Sequence, residues 1–496
     1  MSEPTAPTTA PGAEAADADS RSHTSASRAN LELLFVGLGA LVVSLSQSVL
    51  VPVLAELQSE YGESANWLLT STLLVAAVTV PIMGRLGDMF GKRRMLLVAI
   101  GALTVGSLIT ALSDSITWLI VGRAIQGASS AAIPLGISLL ATLLPRERVG
   151  SAVALISAML GVGGALGLPL AGLVAQNADW HTLFWINAAI GAAAFVGILA
   201  IVPESKSRTG GRVDFIGAVL LSGALVCLIL PLEQGHDWGW SSGRVWLLFA
   251  AAAVLFVVLA LAELRRDDPL VDLRALKRRP IVMTNLASIC FGFALFASFI
   301  GTATFVEAGT WTGYGFGSSL FVGGLTMLPS GVAMLLLSPV AARIIALRGA
   351  PQTLALGAAI VAVSWILRIT LTGSLWEVIL GATVSGIGVG IGYAAMPALI
   401  NAHTPPHEIA AANGLNTLFR SLGSTLATAI GTSILASSLV YRVVDGQVVD
   451  ATSSLSAYRW LFAVCAVASV LAALLVLTVP HRKDPTPTGE PELANT

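Results

Sequence analysis

Arg123 and Arg420 stand inside runs of apolar residues. An arginine at the centre of a bilayer costs at least about 2.5 kcal/mol, so such a residue faces a protein interior or water. Three chemistries fit. Protons are carried by Asp88 or Glu307 instead, the two arginines bind an anionic or strongly polar molecule, or they bond only to carbonyls and to amides such as Gln126 and Asn416. Gln47, Gln126, Asn187, Asn413 and Asn416 place further hydrogen-bonding groups in similar runs. Each could orient a small molecule on a path or bond a neighbouring helix. A third constellation is Gly84-Arg85-Leu86-Gly87-Asp88-Met89-Phe90-Gly91-Lys92-Arg93-Arg94. Here Gly87 and Gly91 permit a tight turn. Asp88 can accept hydrogen bonds at a helix end or pair with an arginine. Lys92, Arg93 and Arg94 hold a loop in the aqueous phase.

Other chemistries are excluded by type and spacing. No Ser/His/Asp set or metal cluster stands out, and His181, His236, His403, His407 and His481 lie near loops or helix ends, so the chain is not expected to be an enzyme. No Gly-x-x-x-x-Gly-Lys-Ser/Thr loop is present, and no cofactor is expected. Gly386, Gly388, Gly390 and Gly392 lie in an apolar helix with no preceding strand, which fits close packing or a hinge. Cys227, Cys290 and Cys465 read as small packing residues.

These residues need elements that hold them in lipid. Of the 496 residues, 55% are hydrophobic and 11% charged, with a mean hydropathy of +0.82. A soluble surface needs more charge, and a net charge of -1 indicates no nucleic-acid partner. Apolar runs long enough to span recur at 31–54, 66–84, 95–113, 115–143, 149–176, 182–202, 214–233, 244–263, 281–307, 317–342, 351–372, 375–401, 408–438 and 457–480. That predicts an all-α polytopic membrane protein with fourteen transmembrane helices. Placing both termini in the cytoplasm puts 21 lysines and arginines there and at most 4 outside, which satisfies the positive-inside rule. Residues 1–30 and 481–496 read as disordered cytoplasmic tails.

The chain also repeats itself. Gly91 and Gly349, and Trp118 and Trp376, are 258 apart; Gly122 and Gly381, and Gly127 and Gly386, are 259 apart; Leu155 and Leu415, and Gly163 and Gly423, are 260 apart. The expected organisation is an N-terminal six-helix half (31–202), an inserted pair with its linkers (203–280) and a C-terminal six-helix half (281–480). A substrate path then lies between the halves.

The Gly84–Arg94 segment resembles the signature loop of the major facilitator superfamily, in which the acid helps latch the cytoplasmic side. Its half-repeat, Pro339 to Gly349, keeps Arg343, Arg348 and Gly349 but lacks the acid. Gly122-Arg123-Ala124-Ile125-Gln126-Gly127 resembles the helix 4 motif of proton-driven exporters, where the arginine is implicated in proton coupling. The helix 5 run with Gly163, Gly167, Pro169 and Gly172 resembles the antiporter motif, with Leu168 before Pro169 and Leu173 after Gly172 as departures. Phe184-Trp185-Ile186-Asn187, Trp238-Gly239-Trp240, Pro269-Leu270-Val271-Asp272-Leu273 and Ala412-Asn413-Gly414-Leu415-Asn416 with Arg420 resemble segments of the fourteen-helix drug:proton antiporter branch.

The resemblance implies the major facilitator fold and export of hydrophobic or amphiphilic small molecules, such as antibiotics, by proton antiport with alternating access. It implies Gly84, Gly87, Asp88, Gly91, Lys92, Arg93 and Arg94 as gating residues. Asp88, Arg123 and Glu307 become proton-coupling candidates, and Gln47, Gln126, Asn187, Asn413, Asn416 and Arg420 path candidates. It places a monomer in the bacterial inner membrane. That branch often carries an acid in helix 1; here Ser44 to Pro52 has hydroxyls and an amide but no carboxylate. Movement of a specific metabolite, lipid or anion by symport or facilitation is the alternative within transport. A non-transporting sensor or scaffold is the alternative of another class.

Overall fold

The computed structural model describes residues 11–205, 214–266, 270, 278–445 and 447–479. Helices α1 (Pro11–Ser48, continued by Leu50–Tyr61), α2 (Trp67–Phe90), α3 (Lys92–Ala111), α4 (Ile116–Gly127, continued by Ala132–Leu143), α5 (Arg146–Asn177) and α6 (His181–Ile201) form the first half. The inserted pair is α7 (Phe215–Trp238) and α8 (Gly243–Glu263). The second half comprises α9 (Arg279–Glu307), α10 (Leu320–Leu325 and Leu328–Arg348), α11 (Ala350–Thr370), α12 (Leu375–Ala402), α13 (Ile409–Ala436) and α14 (Leu455–Leu477).

Among the described residues, 13 helices are long and apolar enough to cross a membrane. The other, α13, is 28 residues long. That is about 42 Å at a rise of about 1.5 Å per residue, against a hydrocarbon core of about 30 Å. Its Asn413, Asn416, Thr417 and Arg420 lower its hydropathy, and all four are buried. The fourteen expected spans are therefore present.

Two expectations need correction. Residues 11–30, expected to be disordered, continue α1, whose helix begins at Pro11 rather than near Leu31. Ala13, Ala15, Ala16 and Ala18 favour helix there. The connection from α13 to α14, in a chain expected to be all-α, contains an antiparallel hairpin, β1 (Leu439–Val444) and β2 (Gln447–Ser453). Its β-branched Val440, Val443, Val444, Val448 and Val449 suit a pleated ribbon. The Tyr314 hydroxyl donates to the Ser453 carbonyl and ties this hairpin to the α9–α10 connection. Residues 1–10, 481–496 and most of the expected linkers around α7 and α8 lie outside the described residues.

Three helices are interrupted, each two to six residues before a proline. The irregularities fall at Ser48–Val49 before Pro52, at Ala128–Ala131 before Pro134, and at Thr326–Met327 before Pro329. Proline removes a donor and clashes with the carbonyl four residues back. Two of these breaks, at Ser48 and Ser130, reach the central cavity described below.

Glycines set the helix contacts, because apolar burial drives little association within lipid. The contacts repeat as the sequence does. A Cβ on Gly163 would lie 2.6 Å from the Leu41 carbonyl oxygen of α1, and one on Gly423 would lie 2.1 Å from the Ile289 carbonyl oxygen of α9. Gly127 likewise approaches Thr72 of α2, and Gly386 approaches Ser330 of α10. Gly122 meets Thr110, and Gly381 meets Arg368. The inserted pair has no such counterpart. Leu221, Leu225 and Ile229 of α7 pack with Ala77 of α2 and Leu418 of α13, so α7 spans the seam between the halves. Beyond it α8 exposes Trp246, Leu247, Val254 and Val257, as a lipid-facing helix does.

Candidate functional site

A cavity lies between the halves, with about 1150 Å³ of empty space counting that open to solvent. The first half contributes Gln47 and Ser48 of α1, Thr72 of α2, Arg123 and Ser130 of α4, and Leu160 of α5. The second half contributes Phe296 and Phe299 of α9, Tyr393 of α12, and Thr417 and Arg420 of α13. Its wall is mainly apolar, with a few convergent polar groups, as small-molecule sites generally are.

The buried arginines differ in how far they are satisfied. Arg123 donates from Nη1 to the Ser46 carbonyl (3.1 Å) and to Gln126 Oε1 (2.7 Å), and from Nε to the Leu68 carbonyl (3.3 Å). Gln126 Nε2 donates in turn to Ser107 (3.1 Å). Arg420 makes one hydrogen bond, from Nη2 to Thr417 Oγ1 at 3.5 Å, and its guanidinium sits 4.9 Å from the Tyr393 ring centroid. Arg368, in the last turn of α11, is a third buried arginine, only 2% exposed. It donates to Ser298 Oγ (3.0 Å) and to Thr302 Oγ1 and lies against the Trp365 and Phe462 rings. Among the described residues none of the three forms an ion pair with a carboxylate.

Most of the amides expected on the path lie behind the cavity wall. Gln47 lines the cavity and donates to Ser130 Oγ (3.2 Å). Asn413 donates to Asn401 Oδ1 (2.7 Å) and to the Ile409 carbonyl (2.9 Å). Asn416 donates to Asn285 Oδ1 (3.0 Å) and Ser288 Oγ (2.6 Å), joining α13 to α9. Asn187 is fully buried in α6, and neither side-chain polar atom has a partner among the described residues. Gln126, Asn187, Asn413 and Asn416 do not line the cavity. Helix rotation places them, and packing sets that rotation.

The Gly84–Arg94 segment joins the halves at the end of the bundle where the arginine-rich loops lie, here the basic end. Asp88 is fully buried. Its Oδ2 accepts from the Ala411 N–H (2.8 Å) and its Oδ1 from the Ala410 N–H (3.3 Å). These are orphan donors of the first turn of α13, which favour an anion. Lys92, also fully buried, stands 3.5 Å from Asp88 Oδ1 and donates to the Pro406 carbonyl at 3.3 Å. The partner of the acid is thus a lysine and a helix terminus rather than an arginine. A Cβ on Gly84 would lie 2.8 Å from the Ala410 carbonyl oxygen, so only glycine lets α2 approach this closely. Gly91 has φ +123, a conformation open to glycine alone. The Glu204 carboxylate accepts from the Arg93 and Arg94 N–H groups at 3.0 and 3.2 Å and caps α3.

At the opposite, hairpin end the halves touch along α5 and α10. A Cβ on Gly172 would lie 2.7 Å from backbone atoms of Phe321, and one on Gly324 would lie 2.4 Å from the Pro169 nitrogen. Gly167 faces Ser48 of α1 within its own half. Glu307 ends α9 against Gly323. Glu233 has an Oε1 sealed from solvent with no hydrogen-bond partner among the described residues. Its neighbour Gln234 donates to Thr70 of α2 (3.0 Å). The sequence signal was Glu233-Gln234, an adjacent polar pair in an otherwise apolar run.

Two helical halves enclosing one cavity, joined at one end by hydrogen bonds of a buried acid and a buried lysine, define a multi-pass membrane transporter. The chain belongs to the Major Facilitator Superfamily, whose family model matches residues 36–428 and 291–495. It is 30% identical over 417 residues to the tetracenomycin C resistance and export protein of Streptomyces glaucescens, covering 82% of this chain and 76% of that protein. It is 26% identical to multidrug resistance protein 3 of Bacillus subtilis, covering 82% of this chain and 80% of the relative. The crystal structure of the human organic anion transporter MFSD10 (TETRAN) superposes with a TM-score of 0.65, covering 90% of this chain and 99% of that one. At 15% identity that likeness concerns the fold alone.

Proposed function

We propose that this chain is a secondary active exporter of hydrophobic or amphiphilic small molecules, driven by proton antiport through alternating access. The observation that carries the reading is the cavity shared by both halves, with the buried Asp88 of one half bonded to the start of α13 in the other. Relatives named for tetracenomycin C export and multidrug resistance support export as the direction. In this reading the basic end and both termini face the cytoplasm of a bacterial inner membrane, and one chain suffices. The small-molecule substrate, protons and lipid are its partners, with no nucleic acid or bound cofactor. Gly84, Gly87, Asp88, Gly91, Lys92, Arg93 and Arg94 act as the cytoplasmic gate. Gly163, Gly167, Pro169 and Gly172 hold α5 against its neighbours. Gln126 and Arg123 brace α4 beside the path, while Asn413 and Asn416 stiffen the helices around it.

The test is accumulation of a fluorescent amphiphile in an efflux-deficient bacterium expressing the chain, with and without an uncoupler. Expression is expected to lower accumulation severalfold, and the uncoupler to restore it. Accumulation that stays low with the uncoupler present removes proton coupling.

Coupling needs a carboxylate that opens to water on one side of the cycle, and Asp88, Glu307 and Glu233 are the groups placed for it. Glu307→Gln and Glu233→Gln are each expected to lower uncoupler-sensitive efflux at least threefold at unchanged expression. Wild-type efflux in either variant clears that residue, and in both leaves Asp88 as the carrier.

A further inference from the structure

Among the described residues, the cavity wall carries two guanidinium groups and no carboxylate. One of them, Arg123, is largely committed to the Ser46 and Leu68 carbonyls and to Gln126. Arg420 is not. A guanidinium has five N–H donors in a fixed fork, and Arg420 uses one, at the outer limit of hydrogen-bond distance. Its remaining donors have no partner among the described residues, although the residue is only 9% exposed. Buried cations are stable when paired and hydrogen-bonded. Here Tyr393 offers a ring face but no counter-charge, and the carboxylates Glu233 and Glu307 are absent from the cavity wall. The facing wall is apolar, with Phe296, Phe299, Leu295 and Ile300 of α9 and Leu69 and Leu73 of α2.

We propose that the cavity binds an organic monoanion, its carboxylate, sulfonate or phenolate on the Arg420 fork and its apolar body against Phe296 and Phe299. The proposal rests on the transport reading and supplies its substrate class. The guanidinium gives two parallel donors to a planar acidic head, a geometry that a lysine ammonium does not reproduce. An organic cation would meet two positive charges and no acid. An inorganic anion would leave the apolar wall unused. An inside-negative membrane potential favours outward movement of the anion.

The experiment compares 1-pyrenesulfonate with 1-pyrenemethylammonium, which share one body and carry opposite heads. Binding is measured on the full chain in lipid nanodiscs, and movement in energised inside-out vesicles. The wild type is expected to bind the sulfonate at least tenfold more tightly than the ammonium. Arg420→Gln should abolish that preference, and Arg420→Lys should keep its sign at lower affinity. Because Arg420→Gln could fail to fold, Thr417→Asp provides a second variant. It places a carboxylate beside the guanidinium and should cancel sulfonate binding in a folded protein. Equal or tighter ammonium binding by the wild type overturns the proposal, as does an unchanged preference in folded Arg420→Gln. Arg420-dependent sulfonate binding without movement in the vesicles would overturn the export reading and leave the anion site standing. Movement of the ammonium with no sulfonate binding would do the reverse.

Discussion

Asp88→Asn is expected to lower efflux at least tenfold while leaving the protein in the membrane at its normal level. The substitution preserves shape but removes the charge that faces the Ala410 and Ala411 N–H groups, and it turns an amide NH2 towards one of them. It also leaves the fully buried Lys92 without its anion. A hydrogen bond to a charged group contributes about 1.5–3 kcal/mol. The ratio of closed to open basic ends should therefore fall by about tenfold to a hundredfold. The readout is labelling of Ser421→Cys, a cavity position, by an impermeant thiol reagent in a background lacking Cys227, Cys290 and Cys465. Labelling from the basic end should rise in the Asp88→Asn protein. If it stays at the wild-type level, Asp88 is not the latch.

Gly324→Val is expected to abolish efflux through the opposite displacement. Its new Cβ would lie 2.4 Å from the Pro169 nitrogen and 2.7 Å from the Leu168 carbonyl carbon. These are backbone atoms of α5 and cannot rotate away as a side chain can. Overpacking of this kind costs about 1–3 kcal/mol even where neighbours can shift. The contact joins the halves at the hairpin end, so the clash should hold that end open and raise Ser421→Cys labelling from that side. Gly324→Ala introduces the same Cβ with less bulk and is expected to show a weaker form of the same shift. Wild-type transport by Gly324→Val would show that this contact forms no part of the cycle. Opposite responses of the two variants in one assay separate gating from general destabilisation, which has no direction.

The sequence by itself determined the number of spans, because lipid demands about 20 consecutive apolar residues wherever a helix crosses, and such runs are plain between the charged loops. It also determined the sharp turns at Gly91 and Gly349, whose φ values of +123 and +83 suit glycine. The spacing of the repeat was visible, since Gly163 and Gly423, or Gly127 and Gly386, occupy equivalent packing positions. Tertiary structure decided which polar residues reach the cavity. Arg123 and Arg420 look alike as single arginines in apolar runs, yet one is satisfied by neighbouring helices and the other has unused donors. A helix that is apolar on every side carries little periodic signal of which face turns inward. Its rotation follows from glycine contacts with helices far away in the chain. The same holds for Asp88, whose partners lie 322 and 323 residues further on. Composition marks that acid as unusual, but only the approach of α2 to the start of α13, permitted by Gly84, gives it the N–H groups it holds.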